Sequence, residues 1–342
     1  MTAPNAVHER NPYGKPIQDL GLQIDGTRLE PIIKEFFDEL ERAGIKRVRP
    51  RCYLSTEWGV VTGSVAIGIP FYLARPDLTA LQLERVGHVE GFNAADIRRY
   101  LRHEMGHVVN YAYRLYEEEE WVEHFGSITQ PYVEEYRPEP FSRRYVRHLP
   151  GWYAQKHPDE DWSETFAVWL TPGSDWSAEY AEWPVALAKL EYCDKIMHAL
   201  ADRDPDVTDD QPDEDVSQLG YSVEDFYSDT SPDEEPFPRG LDGALRTIFE
   251  DLYSPQDAPP EVPRIPASSL IRRHEADLMA NVYRWTGHFP EATRPLLRHL
   301  AARADALKQV YPEGAEATAL MALTTLVTAL AANHVFRGTY WP

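Results

Sequence analysis

His103-Glu104-Met105-Gly106-His107 is an HExxH pattern set in an apolar, helix-forming run. Two histidines four residues apart lie on one face of a helix, one turn from each other. Neutral imidazoles at that separation can both reach one Zn²⁺. The intervening glutamate faces the same cavity and can take a proton from water at the metal. Five letters are a weak signal, because two ordinary helix histidines also give them, so the surrounding sequence decides.

That surrounding sequence predicts a helix. Ala94 to Arg102 leads into the motif, Val108 to Tyr113 follows it, and no proline interrupts 94–121. Asn93 suits the amino-terminal cap, and Asp96 sits in the first turn, where negative charge suits the helix dipole. Ile97, Tyr100, Leu101, Val108 and Tyr111 recur at helical spacing and predict the buried face. Gly106 permits close backbone approach beside the metal.

A catalytic zinc usually has three protein ligands and one open position. His124 and His148 do not form the HxxGxxH extension that would supply a third histidine. A downstream helix carrying a glutamate is the other solution. Pro158 can open such a helix, three acids crowd its first turn, and Trp162, Phe166, Trp169 and Leu170 give it an apolar stripe. Glu160 and Glu164 are four apart and share a face. One can bind the metal while the other accepts a hydrogen bond from a ligand histidine, fixing its tautomer. Asp161, beside that face, is a further candidate for the second role. The plain alternative is an acidic, solvated helix start.

HExxH followed by Tyr153, then His157-Pro158, Glu160-Asp161-Trp162 and Glu164-Thr165, resembles a bacterial family of zinc-binding metallo-peptidases. Leu20 to Thr27, Tyr53 to Trp58 and Ile67 to Leu73 are similar to the pattern that precedes the family's metal helix, so the resemblance covers about residues 10 to 200. More distantly the chain resembles gluzincins of the lethal-factor and Pro-Pro-endopeptidase type. There a tyrosine precedes the ligand glutamate by seven positions and an acid follows it by four, as Tyr153 and Glu164 flank Glu160. The resemblance thus implies metal ligands His103, His107 and Glu160, with Glu164 behind a ring. The reverse order stays open, because Glu164-Thr165-Phe166-Ala167 also looks like a gluzincin ligand helix. It further implies an α+β, zincin-like metallopeptidase domain.

The chemistry that follows is peptide hydrolysis. Zinc brings the pKa of water toward neutrality, Glu104 takes the proton and later returns it to the leaving amine, and the Tyr153 hydroxyl donates to the developing oxyanion. A tyrosine beside Trp152 is otherwise a packing residue. Val60 to Pro70 reads as a strand with β-branched residues at alternating sites, either an edge that pairs with extended substrate or a plain core strand. Two other readings compete with the peptidase: a binding or scaffold protein that retains a metal, and a zinc hydrolase of a non-peptide amide.

The 342 residues are 43% hydrophobic, enough for a sizeable core. A net charge of −22 argues against nucleic acid as a partner. No unbroken run of eighteen apolar residues is present, so no membrane span is expected, and the opening residues lack a secretory pattern. Cys52 and Cys193 make no disulfide framework and suit reduced core thiols of a cytoplasmic protein.

Three regions are expected: a metallopeptidase domain over 1–200, an acidic, proline-rich linker or loose loop over 201–240, and an all-helical region over 241–342. The stretch 201–240 holds fourteen acids and two arginines. Solvated spacing is its plain reading. An arm that binds a specific protein partner is the sharper one, with Tyr221, Phe226 and Tyr227 able to dock onto a domain. In the amino-terminal part, Leu29 to Ala43 predicts a helix on strands near Val48 to Leu54 and Val60 to Ile69. Arg143, Arg144, Arg147 and His148, in the connector Glu117 to Trp152, are read as balancing Glu117 to Glu120. Ala267 to Trp285, Glu291 to Val310 and Glu313 to Phe336 predict helices, the last lined by Leu320, Leu323, Leu326, Leu330 and Val335. His274 is read as structural, because position 278 is leucine.

Overall fold

Packing in two lobes organises the chain. The computed structural model describes residues 12–133, 136, 138–139, 141–228, 237, 240–251 and 263–340. The described residues mix helix and sheet, with helix predominating and few strands. Part of the acidic stretch, 229–236 and 238–239, lies outside them.

The first lobe begins with α1 (Leu29–Arg42), whose Leu29, Ile32, Ile33, Phe36 and Leu40 form one buried stripe. Strands β1 (Arg51–Ser55) and β2 (Ala66–Pro70) pair in parallel, with Leu54 opposite Ile69. The expected strand from Val60 starts only at Ala66, because Gly63 at φ +82° turns the chain just before it. β2 is buried throughout, and its Gly68 amide donates to the Gly59 carbonyl at 2.9 Å. It is therefore no open edge for substrate at that point.

Helix α2 (Pro76–Arg85) opens on its proline, and α3 (Ala94–Tyr113) carries HExxH. The Asn93 side chain accepts from the Asp96 amide at 3.0 Å, and the Asp96 carboxylate accepts from the Gly91 and Phe92 amides. All five residues expected on the buried face of α3 are buried. Arg114 in the left-handed region ends the helix, so the continuous run expected to Trp121 is split, and α4 (Glu119–Phe125) is separate. Bidentate pairing of Arg102 with buried Glu39, at 2.8 and 2.9 Å, fixes α3 against α1.

Helices α5 (Pro158–Leu170), α6 (Trp176–Glu179), α7 (Pro184–Leu200) and α8 (Val223–Phe226) complete this lobe. α5 lies unusually close to α3. A Cβ on Gly106 would meet the Ser163 Cα at 2.6 Å, and the Trp162 indole donates to the Gly106 carbonyl at 2.8 Å. The close backbone approach expected at Gly106 is made by a second helix, α5. Trp162 and Phe166 are fully buried. Each contributes about 1.5–3 kcal/mol, so the interface is stable enough to hold polar groups in register.

Residues 201–228 are not a loose linker. Val216, Leu219, Val223 and Tyr227 are in the core of the first lobe. The Val65 amide donates to the Asp209 carbonyl at 2.7 Å, and the Asp206 and Val207 amides donate to the Ala112 carbonyl. Phe226 and Tyr227 dock onto the first lobe as expected, the Tyr227 hydroxyl donating to Gln82 Oε1 at 2.6 Å, while Tyr221 stays exposed. Periodic apolar anchors outweigh the acidic composition, whose carboxylates remain at the surface.

The second lobe has its own core, with α9 (Leu241–Arg246), α10 (Ala267–Arg273), α11 (Glu275–Thr286), α12 (Pro290–Ala306) and α13 (Glu316–Arg337). The expected helix 267–285 is broken at His274, which is held between Glu316 and Asp277. The region is not all helical: β3 (Arg264–Pro266) and β4 (Val310–Pro312) form an antiparallel ribbon that buries Tyr311. α13 is long and apolar enough to cross a membrane by length and composition, at mean hydropathy 1.6, with 28% of its most apolar window buried. That differs from the expectation that no segment reaches this size; its Leu323, Val327 and Leu330 pack in the second core.

The lobes meet through Arg294. Its guanidinium donates to the carbonyls of Leu83, Glu84 and Arg85 at the end of α2, and its Nε lies 2.9 Å from Glu275. Beside it Gly287 meets Gly151, backbone to backbone. The second lobe thereby borders the face of α3 that carries Glu104.

Candidate metal centre

α3 and α5 bring the predicted polar groups and their neighbours together in a buried cluster. His103 Nε2 and His107 Nε2 lie 3.2 Å apart, and Glu160 Oε2 is 3.0 Å from the first and 3.3 Å from the second. His103, His107 and Glu160 can therefore hold one metal ion. With zinc–ligand distances of about 2.0–2.1 Å, a tetrahedral centre has ligand–ligand edges of roughly 3.3 Å. The three observed edges fit that size.

The opposite nitrogens explain why the rings face inward. His103 Nδ1 is 2.9 Å from Glu164 Oε1, and the other Glu164 oxygen accepts from the amides of His148 (3.1 Å) and Leu149 (2.9 Å). His107 Nδ1 is 3.0 Å from Asp159 Oδ2, close in distance but off the line of a good hydrogen bond. Asp159 is held in turn by Asn110 Nδ2 at 2.7 Å and by the Tyr111 hydroxyl. A carboxylate only accepts, so Glu164 favours a proton on His103 Nδ1 and Asp159 draws the His107 ring the same way, while Glu160 Oε2 facing both Nε2 atoms favours positive charge between them.

The electrostatics agree. Burial by itself would lower His103, but hydrogen bonds to Glu160 and Glu164 outweigh it and hold the ring up at about 9. Burial is likewise outweighed at His107, where Asp159 and Glu160 hold the ring well above its usual range. Burial would raise Glu160, but His107 and His103 hold it well below the carboxylate range. The cage is built for positive charge, whether proton or metal.

Glu104 is different. It is 5% exposed, lines the cleft, and makes no hydrogen bond or ion pair among the described residues. Burial raises its pKa against the opposing histidines. Tyr153 is half-buried, its ring 5.5 Å from that of His103. Burial and then Glu160 hold its hydroxyl well above the usual phenol range, so it remains a donor.

Asp161 does not reach the histidines. It pairs with Lys189 at 2.5 Å inside the fold, where burial pushes it up to about 7 against the lysine's pull. Its proposed place behind a ring belongs to Asp159. The signal for Asp159 lay in α3: His107, Asn110 and Tyr111 stand at i, i+3 and i+4, a polar face that needs a buried acceptor. Tyr132 was also missed; its hydroxyl donates to Glu160 Oε1 at 2.7 Å. Nothing local in the connector points to it. The connector basics do not balance Glu117 to Glu120 either. Glu120 pairs with Lys195 and Glu117 lies 4.0 Å from Arg114, whereas Arg147 stacks on Trp152 and Trp183. His148 is half-buried, held down to about 4 by desolvation, with its ring against the Arg99 carbonyl.

The cleft has two halves that share Glu57, Trp58, His103, Glu104 and Tyr153. One, of ≈ 560 Å³, lies beside Gly59, Val60, Thr62 and Tyr111; the other, of ≈ 390 Å³, reaches Tyr283, Phe289 and Glu291 of the second lobe. Residues 57–62, not β2, thus form the lip beside the metal helix. Comparisons with protein-family models, with curated proteins and with solved structures give no match for this chain.

Proposed function

We propose that this protein is a zinc-dependent metallopeptidase whose first lobe is zincin-like, as the motif resemblance implies. The reading is carried by one observation: a buried carboxylate, Glu104, without a hydrogen bond or ion pair among the described residues, stands beside a cage whose rings are held by Glu164 and Asp159. A purely structural metal site needs no such group. That contrast favours catalysis over a scaffold that merely retains metal.

His103, His107 and Glu160 would hold the ion, with Glu164 and Asp159 fixing the rings. When bound, zinc supplies Lewis acidity, polarising a carbonyl and making water a competent nucleophile near neutral pH. Glu104 takes the proton from the attacking water and returns it to the leaving amine. Its raised pKa suits the second task, because a protonated Glu104 is less unfavourable in this buried setting. Tyr153 donates its hydroxyl hydrogen to the oxygen that gains charge. Tyr132 occupies the second oxygen of Glu160, leaving only one for a metal. A cleft open on both sides of Glu104 suits an extended chain passing through.

The test is elemental analysis of zinc-supplemented protein together with mass-spectrometric analysis of a digested peptide library. One zinc per chain, with cleavage that disappears in Glu104→Gln, is expected. Protein that stays empty of metal after supplementation sinks the reading, and a metal-loaded protein that cuts nothing would favour the scaffold.

A further inference from the structure

Tyr132 joins the connector to the cage. Its hydroxyl donates to Glu160 Oε1 at 2.7 Å and lies 3.5 Å from the Tyr153 hydroxyl. A hydroxyl carries one hydrogen, and a carboxylate only accepts. The Tyr132 hydrogen is therefore spent on Glu160, so across the 3.5 Å gap Tyr153 is the donor and Tyr132 the acceptor. The chain has one direction, from Tyr153 through Tyr132 to Glu160. Its first link is long and holds the Tyr153 hydrogen weakly.

The backbone around this chain is pinned. The Gln130 carbonyl accepts from His157 Nε2 at 3.0 Å, while His157 Nδ1 accepts from the Asp159 amide at 3.2 Å. The Glu139 amide donates to Gln155 Oε1 at 2.7 Å, and Gln155 Nε2 donates back to the Glu139 carbonyl at 2.9 Å. The connector is thus tied on both sides of Tyr132 to the turn Tyr153–Gln155 and to the start of α5. Trp152, just before Tyr153, stands at φ +62°, a strained value for so large a residue. These constraints aim the Tyr153 ring but leave its hydroxyl able to rotate. The Lys156 ammonium sits 4.4 Å from the Tyr132 ring centre and 5.4 Å from that of Tyr153, so one cation holds both rings. That contact uses the faces of the rings and does not need the Tyr132 hydroxyl, and the Tyr132 side chain is 48% exposed. The hydroxyl therefore serves the site more than the core.

We propose that Tyr132 is a positioning residue that couples Glu160 to Tyr153. Before substrate arrives, it accepts the Tyr153 hydrogen and keeps that hydroxyl from turning elsewhere. An oxygen that gains negative charge is the stronger acceptor, so Tyr153 then turns its hydrogen to the substrate. Tyr132 keeps its own bond to Glu160 throughout, and no proton changes owner among the three groups. The proposal rests on the peptidase reading and adds to it a residue that acts through two others.

Tyr132→Phe in the full-length protein removes the hydroxyl and leaves the ring under Lys156, so the fold is retained. Two measurements read the two contacts. Visible absorption of cobalt(II)-loaded protein reads Glu160, and its bands should change in position or intensity in Tyr132→Phe. Kinetics on a peptide that the wild type cuts read Tyr153. Tyr132→Phe should lower kcat roughly three- to tenfold with KM close to wild type. The same change should cost less in a Tyr153→Phe background than in the wild type, because the two hydroxyls act together. A cobalt spectrum untouched by Tyr132→Phe overturns the proposal, as does an equal fold-loss of kcat in both backgrounds or a loss confined to KM. Wild-type protein that takes up cobalt yet cuts no peptide removes the peptidase reading and this proposal with it. Cleavage combined with an unmoved spectrum removes the role of Tyr132 alone.

Discussion

Glu164 holds His103 by its Nδ1 at 2.9 Å while the Leu149 amide holds the other Glu164 oxygen at 2.9 Å. The chain of contacts runs from a loop backbone through a carboxylate to a ring, so the ring is oriented before any ligand arrives. Removing the carboxylate without changing its shape is the cleanest probe. Glu164→Gln and Asp159→Asn should each lower zinc affinity about 10–100-fold, measured by competition with a chromogenic chelator. Unchanged affinity in both would separate these acids from the metal site.

Glu160→Ala should abolish stable zinc binding, because it removes one of the three convergent atoms. Elemental analysis of the purified variant reads this directly, and full zinc occupancy there would reassign the third ligand.

Glu104→Gln should reduce peptide cleavage roughly 10²–10⁴-fold while zinc stoichiometry stays at the wild-type level. The measurement is initial rate on any peptide the wild type cuts, with metal content determined on the same preparation. Loss of metal with the activity would mean that Glu104 supports the cage instead.

Gly106→Ala pits two effects against each other. Alanine favours a helix by about 1 kcal/mol over glycine, but its Cβ would sit 2.6 Å from the Ser163 backbone. Overpacking of this kind costs about 1–3 kcal/mol, and here the obstacle is backbone that cannot rotate away. The variant should have a lower Tm and weaker zinc binding, since separating α3 from α5 moves Glu160 off the histidines. A Tm at or above wild type contradicts the packing argument.

His288 links the second lobe to pH. Its ring lies between the hydroxyls of Thr293 (2.7 Å) and Tyr340 (3.0 Å), and burial, with His334 second, holds it down to about 3. The folded value is below the unfolded value of 6.5, so the fold favours the neutral ring. Its contribution is complete above pH 6.5 and shrinks as pH falls toward 3, at most about 1.4 kcal/mol per unit. Thermal unfolding between pH 7 and 4.5 should show a steeper loss in wild type than in His288→Gln. Parallel curves would remove His288 from the acid response.

Much of the candidate site was readable along the chain because its determinants are local. Asn93 caps the helix it was expected to cap, and Pro158 starts the helix it was expected to start. The four-residue spacings put His103 with His107 and Glu160 with Glu164. Asp161 and Asp159 could not be told apart from spacing, since adjacent residues in a first turn differ only by rotation about the helix axis. The acidic stretch misled because composition speaks of solvation, whereas four apolar anchors at 216, 219, 223 and 227 decide docking.

Helix periodicity alone determined that two imidazoles share a face and that an acid-bearing helix follows. Tertiary packing decided the rest: which carboxylate touches which nitrogen, where the cleft's lip lies, and that residues 283–291 wall its far half. Propensity and spacing act over one or two turns, so the sequence displays them directly. The meeting of α3 with α5, and of both with the second lobe, depends on contacts such as Gly106 with Ser163 and Arg294 with α2, whose partners are fixed only when the whole core closes.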